Sequence, residues 1–230
     1  MSTPSVDTAN ATNDASKKNQ LEEFYSRRRT ATTTIVALTI QQSFLLGSSV
    51  VAGALLKEYT PGTIAEYPYF PRGNRTFAFN GLYALAFSLF VCYVVGAEVI
   101  IPITKKYPKA QSIITSSLSL LVPVAFILGG VSSSIDNNVV LMYISFALIL
   151  GVSLATHDVM TRIESIQWWA VDGNRNVGVG IVGLTAGISS VFYTLTTAWI
   201  IVYSKSLATC LYCIGGFQAL IPGWIVFSIN

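Results

Sequence analysis

The only histidine of the chain, His157, is followed directly by Asp158, and Ser153 stands four residues before it. Side chains four apart share a helical face, so hydroxyl and imidazole are spaced for a hydrolytic pair. Hydrolysis also needs a base held by a third group and donors for an oxyanion. No second histidine exists to supply a base from another helix, and no oxyanion site accompanies the pair. His157 and Asp158 therefore read as an interfacial pair that hydrates a helix end, in a protein that is not an enzyme. Cys210 and Cys213 form a C-x-x-C, with Cys92 as the third cysteine. They lie in an apolar stretch with no second pair for zinc and no redox-fold pattern. They read as small buried hydrophobes, and no metal or cofactor is expected.

Amides and one carboxylate are the remaining polar candidates. Gln41, Gln42 and Ser43 fall in one apolar stretch and Gln218 in another. They serve either as a polar path or as hydrogen bonds between helices, which average only about 0.6 kcal/mol each in a bilayer. Glu98 closes a charge-free stretch just ahead of VIIPITKKYPKA. Two readings stand side by side: an ionisable group at membrane depth, which is functional by default, or an interfacial partner of Lys105 or Lys106. Asn74-Arg75-Thr76 is a glycosylation sequon, with Asn74 as acceptor.

The elements that would position these groups follow from composition. Of 230 residues, 52% are hydrophobic and 11% charged, whereas soluble domains carry about 25% charged residues. That is too little charge to cover a soluble fold, and a net charge of +3 gives no sign of nucleic-acid binding. Charge-free stretches run over Thr30–Leu56, Thr76–Ala97, Ala110–Ile135, Asn137–Thr156, Asn176–Ser204 and Ser206–Asn230, each at least 20 residues long. About 20 apolar residues cross a hydrocarbon core roughly 30 Å thick as a helix. Strict alternation for a β-barrel is missing. The expectation is an all-α polytopic membrane protein with six transmembrane helices. Residues 27–230 form the bundle; residues 1–26, rich in Ser, Thr, Asn and Asp with no apolar run, are expected to be a disordered tail. No cleavable signal peptide pattern is present.

Lysine and arginine set the orientation. Lys17, Lys18, Arg27, Arg28, Arg29, Lys105, Lys106, Lys109, Arg162 and Arg175 fall on one side, ten in all, against Lys57, Arg72, Arg75 and Lys205 on the other. Basic loops stay cytoplasmic, which predicts both termini in the cytosol of a plasma-membrane or endomembrane protein and puts Asn74 outside.

The stretch QWWAVDGNRNVGVGIVGLTAG, Gln167 to Gly187, joins two interfacial tryptophans, an Asp172-Gly173-Asn174 turn and a glycine-studded helix. Gly183 and Gly187 form a GxxxG pair with Gly180 beside them, a face that admits a second helix almost to backbone contact. Trp168 to Thr194 resembles the loop before span five, and span five itself, of major facilitator transporters of the nodulin-like, monocarboxylate and oxalate/formate branches. Arg175 and Gly178 match the basic turn, and Gly180, Gly183 and Gly187 the helix glycines. Lys105 and Pro108 stand where that family places an Asp and a Gly in the loop after span two. The resemblance implies one six-helix half of a twelve-span fold, moving a small solute, plausibly an organic anion, together with a second copy or another membrane subunit. Gln41, Gln42, Glu98 and Gln218 would line the path, and Arg175 with the span-five glycines would support motion. The alternative is a non-transporting adaptor or assembly subunit that docks through the glycine face.

Overall fold

The computed structural model describes residues 6–44, 75–107, 110–135, 139–169 and 173–229. Asn74, and the end of the first predicted span, lie outside the described residues. Among the described residues the fold is helical throughout, with no strand. The elements are α1 (Val6–Gln42), α2 (Arg75–Lys106), α3 (Ala110–Ser134), α4 (Val139–Met142), a π-helical segment π1 (Tyr143–Leu150), α5 (Gly151–Trp169), α6 (Arg175–Ser204), α7 (Leu207–Gln218), a second π-helical segment π2 (Ala219–Gly223) and α8 (Trp224–Ile229).

Four continuous helical rods among the described residues are long and apolar enough to cross a membrane: Ala110–Ser134, Val140–Trp169, Asn176–Ser204 and Leu207–Phe227. Their limits sit close to the charges that bound the last four predicted spans. The exception is the fourth. Its charge-free stretch ends at Thr156, but the helix runs on to Trp169. Asp158 and Arg162 are four apart on it and pair at 2.7 Å, so these charges partner on their own helix rather than ending it.

α1 runs from Val6 to Gln42 and so begins well ahead of the first charge-free stretch. The segment contains neither Gly nor Pro and is interspersed with Ala, Lys, Gln, Leu and Glu, all good helix formers. Glu23 and Arg27 add an i,i+4 ion pair at 2.6 Å. Further along, the hydroxyls of Thr32, Thr33 and Thr39 donate to the carbonyls of Arg28, Arg29 and Ile35. A Thr-rich stretch thereby satisfies its polar groups within its own helix, as an apolar surrounding demands.

The α4–π1–α5 rod is the centre of the bundle. α5 packs against α1, α2, α3 and α6, while α7 lies along α3 and touches α6. Of the apolar window of this rod 61% is buried, against 17% for α6, which makes α6 the outer wall. The core is aromatic. Phe44 meets Phe126 edge-on at 4.5 Å and Tyr193 at 5.6 Å, and Phe126 meets Phe146 at 5.7 Å, geometries that add to their area burial. α3 and α7 approach closely because Gly215 has no side chain: a Cβ there would sit 3.1 Å from Phe126 Cβ and 3.2 Å from the Pro123 carbonyl. The α6–α7 link is short. Lys205, at φ 55°, closes α6 by donating its N–H to the Ile201 carbonyl, and Ser206 caps α7 by accepting from the Thr209 N–H at 3.2 Å.

Candidate functional site

Two polar clusters join the rods. The first is wholly buried and has a covalent origin. Proline has no N–H, so it leaves the carbonyl four residues before it without its helical donor. Pro123 in α3 does this to Ser119; in π2 the ladder runs from residue i to i+5, so the Gln218 carbonyl keeps a helical donor in the Gly223 N–H despite Pro222. The Gln41 side chain, on α1, faces both carbonyls. Its Nε2 donates to Ser119 O at 3.0 Å and, more weakly, to Gln218 O at 3.4 Å. The Ser119 hydroxyl returns a bond to Gln41 Oε1 at 3.0 Å. One amide thus ties three rods, at the proline-freed carbonyl of α3 and at the start of π2. π2 belongs to the same joint, since a Cβ on Gly223 would fall 2.7 Å from the Gln218 carbonyl. The Gln218 side chain donates through Nε2 to the Tyr193 hydroxyl at 2.6 Å, which brings in α6. Gln41, Ser119 and Gln218 are all fully buried.

The second cluster centres on Asp158 of α5. Gln42 Nε2 donates to its Oδ1 at 3.2 Å, the Tyr93 hydroxyl of α2 donates to its Oδ2 at 2.8 Å, and Arg162 pairs with Oδ2 at 2.7 Å. The carboxylate side chain is 21% exposed and Arg162 73%. A carboxylate accepting three charge-assisted bonds is well held, and its partial exposure leaves it open to a visiting polar group. Sequence reasoning did not find Tyr93. A phenol on a neighbouring span gives no local signal, because only the packing of α2 on α5 brings it to Asp158.

The predicted path residues divide between these clusters. Gln41 and Gln218 belong to the buried joint, and Gln42 to the Asp158 cluster. Glu98 joins neither: it is exposed on α2, and no ion pair to Lys105 or Lys106 exists among the described residues. The His157–Asp158 reading is corrected. Consecutive residues on a helix point about 100° apart, so Asp158 turns to α1 and α2 while His157 is fully buried, both ring nitrogens without a partner among the described residues. It hydrates no helix end. Ser153 is bonded to the Ile149 carbonyl at 2.7 Å, and so is engaged with its own helix. Of the two cysteines in C-x-x-C, Cys210 is buried as expected, but Cys213 is exposed. No cluster that could hold a metal ion occurs among the described residues.

The span-five glycines separate too. Gly178 packs under Trp169, whose ring would lie 3.1 Å from an added Cβ. Trp169 in turn carries the Arg28 guanidinium over its face at 3.8 Å, a cation–π contact that ties α1 to the turn before α6. Arg175 opens α6. Gly180, Gly183 and Gly187 are exposed, and a Cβ on any of them would meet nothing within 4 Å. Their face has no partner among the described residues. No protein-family model matches the chain, and no curated protein or solved structure is significantly similar to it.

Proposed function

We propose that the chain is a six-span membrane bundle that moves a small solute, with both ends in the cytosol, and that it acts with a second copy or another membrane subunit. The Asp158 cluster carries this reading. Ionisable groups inside membrane helices are costly and mark solute or proton pathways, and an inert anchor has no use for a part-exposed carboxylate shared by α1, α2 and α5. Gln42 is the path residue this reading keeps; Gln41 and Gln218 hold the bundle together beside it. The resemblance of Trp168 to Thr194 to major facilitator transporters points to the same activity.

Uptake into vesicles reconstituted with the purified protein, across a panel of small organic anions and neutral solutes, tests it. Asp158→Asn keeps the shape and two of the hydrogen bonds but removes the charge. Uptake should fall about tenfold, ~1.4 kcal/mol in barrier, with the melting temperature nearly unchanged. Equal uptake by Asp158→Asn and the parent sinks the assignment, as does a parent protein that moves nothing in the panel.

The adaptor reading draws on a different observation, the open face of Gly180, Gly183 and Gly187. Small residues without an internal partner allow another helix to come close. Gly183→Leu is expected to leave the stability of the monomer within about 0.5 kcal/mol of the parent, as for surface changes generally, and to abolish cross-linking between bundles in the membrane. Cross-linking that persists unchanged rules out association through this face. Cross-linking lost while uptake continues assigns the face to a role other than transport.

A further inference from the structure

A cleft of about 350 Å³ opens at the end of the bundle where α1, α3 and α5 come together. α1 and α3 make little direct contact, and the cleft is the gap that results. Its wall changes character with depth. Arg27 and Thr30 are exposed at the mouth, with Gln111 beside them at the start of α3 and Trp168 near the end of α5. Leu38 and Met160, both buried, close the far end. The antiparallel run of α5 against α1 and α3 dictates that order, since Trp168 is near the last residue of α5 while Arg27 and Gln111 precede the apolar parts of theirs.

We propose that this cleft binds the phosphate headgroup of an anionic phospholipid, with the upper part of an acyl chain against the apolar end. A free phosphate would use the guanidinium, hydroxyl and amide at the mouth but has no use for Leu38 and Met160; an amphiphile uses both. The mouth also sits where the charge-free stretches of α1 and α3 begin, at Thr30 and Ala110, with a tryptophan of interfacial habit beside it. Headgroup depth is where such a lipid presents its phosphate, and basic pockets between membrane helices recognise it. Arg27 is paired with Glu23, but both side chains are more than 60% exposed. Such a pair is weak and yields to a phosphate that can be gripped by two parallel N–H bonds. The proposal rests on the membrane reading but not on transport, so a failure of solute uptake leaves it standing.

Thermal midpoints of the full chain in neutral detergent, titrated with short-chain phosphatidylglycerol, short-chain phosphatidylcholine or inorganic phosphate, provide the test. Phosphatidylglycerol should bind on the order of tenfold more tightly than phosphatidylcholine, the scale of one hydrogen bond to a charged group. Arg27→Gln, at an exposed position, should erase that preference, and Thr30→Leu should weaken it by crowding the mouth. Lys18→Gln, on the same helix but outside the cleft, should preserve it. Three results overturn the proposal: a preference that survives Arg27→Gln, an equal loss in Lys18→Gln (attraction to a diffuse basic surface), or inorganic phosphate that stabilises as well as the lipid.

Discussion

Gly129→Leu should destabilise the bundle by about 3 kcal/mol or more, the upper range for overfilling a packed core. A Cβ on Gly129 would land within the van der Waals envelope of the Phe146 ring. Phe146 is 8% exposed, sits in π1, and packs edge-on against Phe126, so it has no free volume to retreat into. The neighbouring Gly130 is closed in the same way, with the Tyr212 ring 2.6 Å from an added Cβ. Thermal unfolding in detergent measures the effect, and Phe146→Ala in the Gly129→Leu background should recover a good part of it by restoring room. The comparison with Gly183→Leu matters most. The same substitution at a glycine facing outward is expected to be nearly silent for the monomer. If Gly129→Leu and Gly183→Leu melt alike, α3 does not pack on π1 as described.

Gln41→Leu should cost about 2 kcal/mol. Leucine fills much of the same volume, so the loss is polar: the Ser119 carbonyl and hydroxyl lose their partner in a dry interior, where a buried group left unpaired costs roughly 1–3 kcal/mol. The bound on each interhelical bond from membrane measurements is lower, about 0.6 kcal/mol on average. Here Ser119 O has lost its helical donor to Pro123, so the amide replaces a backbone bond there. The distinguishing measurement is a double-mutant cycle. Pro123→Ala restores an N–H four residues beyond Ser119 and should make Gln41 partly redundant, so Gln41→Leu in that background should cost about 1 kcal/mol less. Strict additivity would falsify the link between the proline and the amide.

Much of the fold was legible because charges punctuate the chain. Lys109 precedes α3 at Ala110, and Lys205 separates α6 from α7, each close to where charge-free counting put it. Counting failed where charge and helix part company. Asp158 and Arg162 neutralise one another inside α5. The candidate site was half legible. Amides in apolar stretches stood out from composition, but their division into a buried joint and a part-exposed cluster depends on which way α1 turns: Gln41 and Gln42 are adjacent yet serve different neighbours. The pairing of Gln41 with a proline-freed carbonyl had a signal in sequence, the Pro four residues after Ser119. It needed a tertiary partner to be read. The glycines of α6 showed their spacing but not their direction, and outward is the direction the bundle gives to Gly180, Gly183 and Gly187.

The amide on α1 also sets an order of events during biosynthesis. Ser119 is synthesised 78 residues after Gln41, and Gln218 follows 177 residues after it. α1 therefore carries an unsatisfied side chain that is answered in two instalments, by α3 and then by the turn of helix at Gln218. Until the second arrives one acceptor of that amide is missing, so the joint that holds α1, α3 and π2 together is completed only by a segment made long after the side chain it serves.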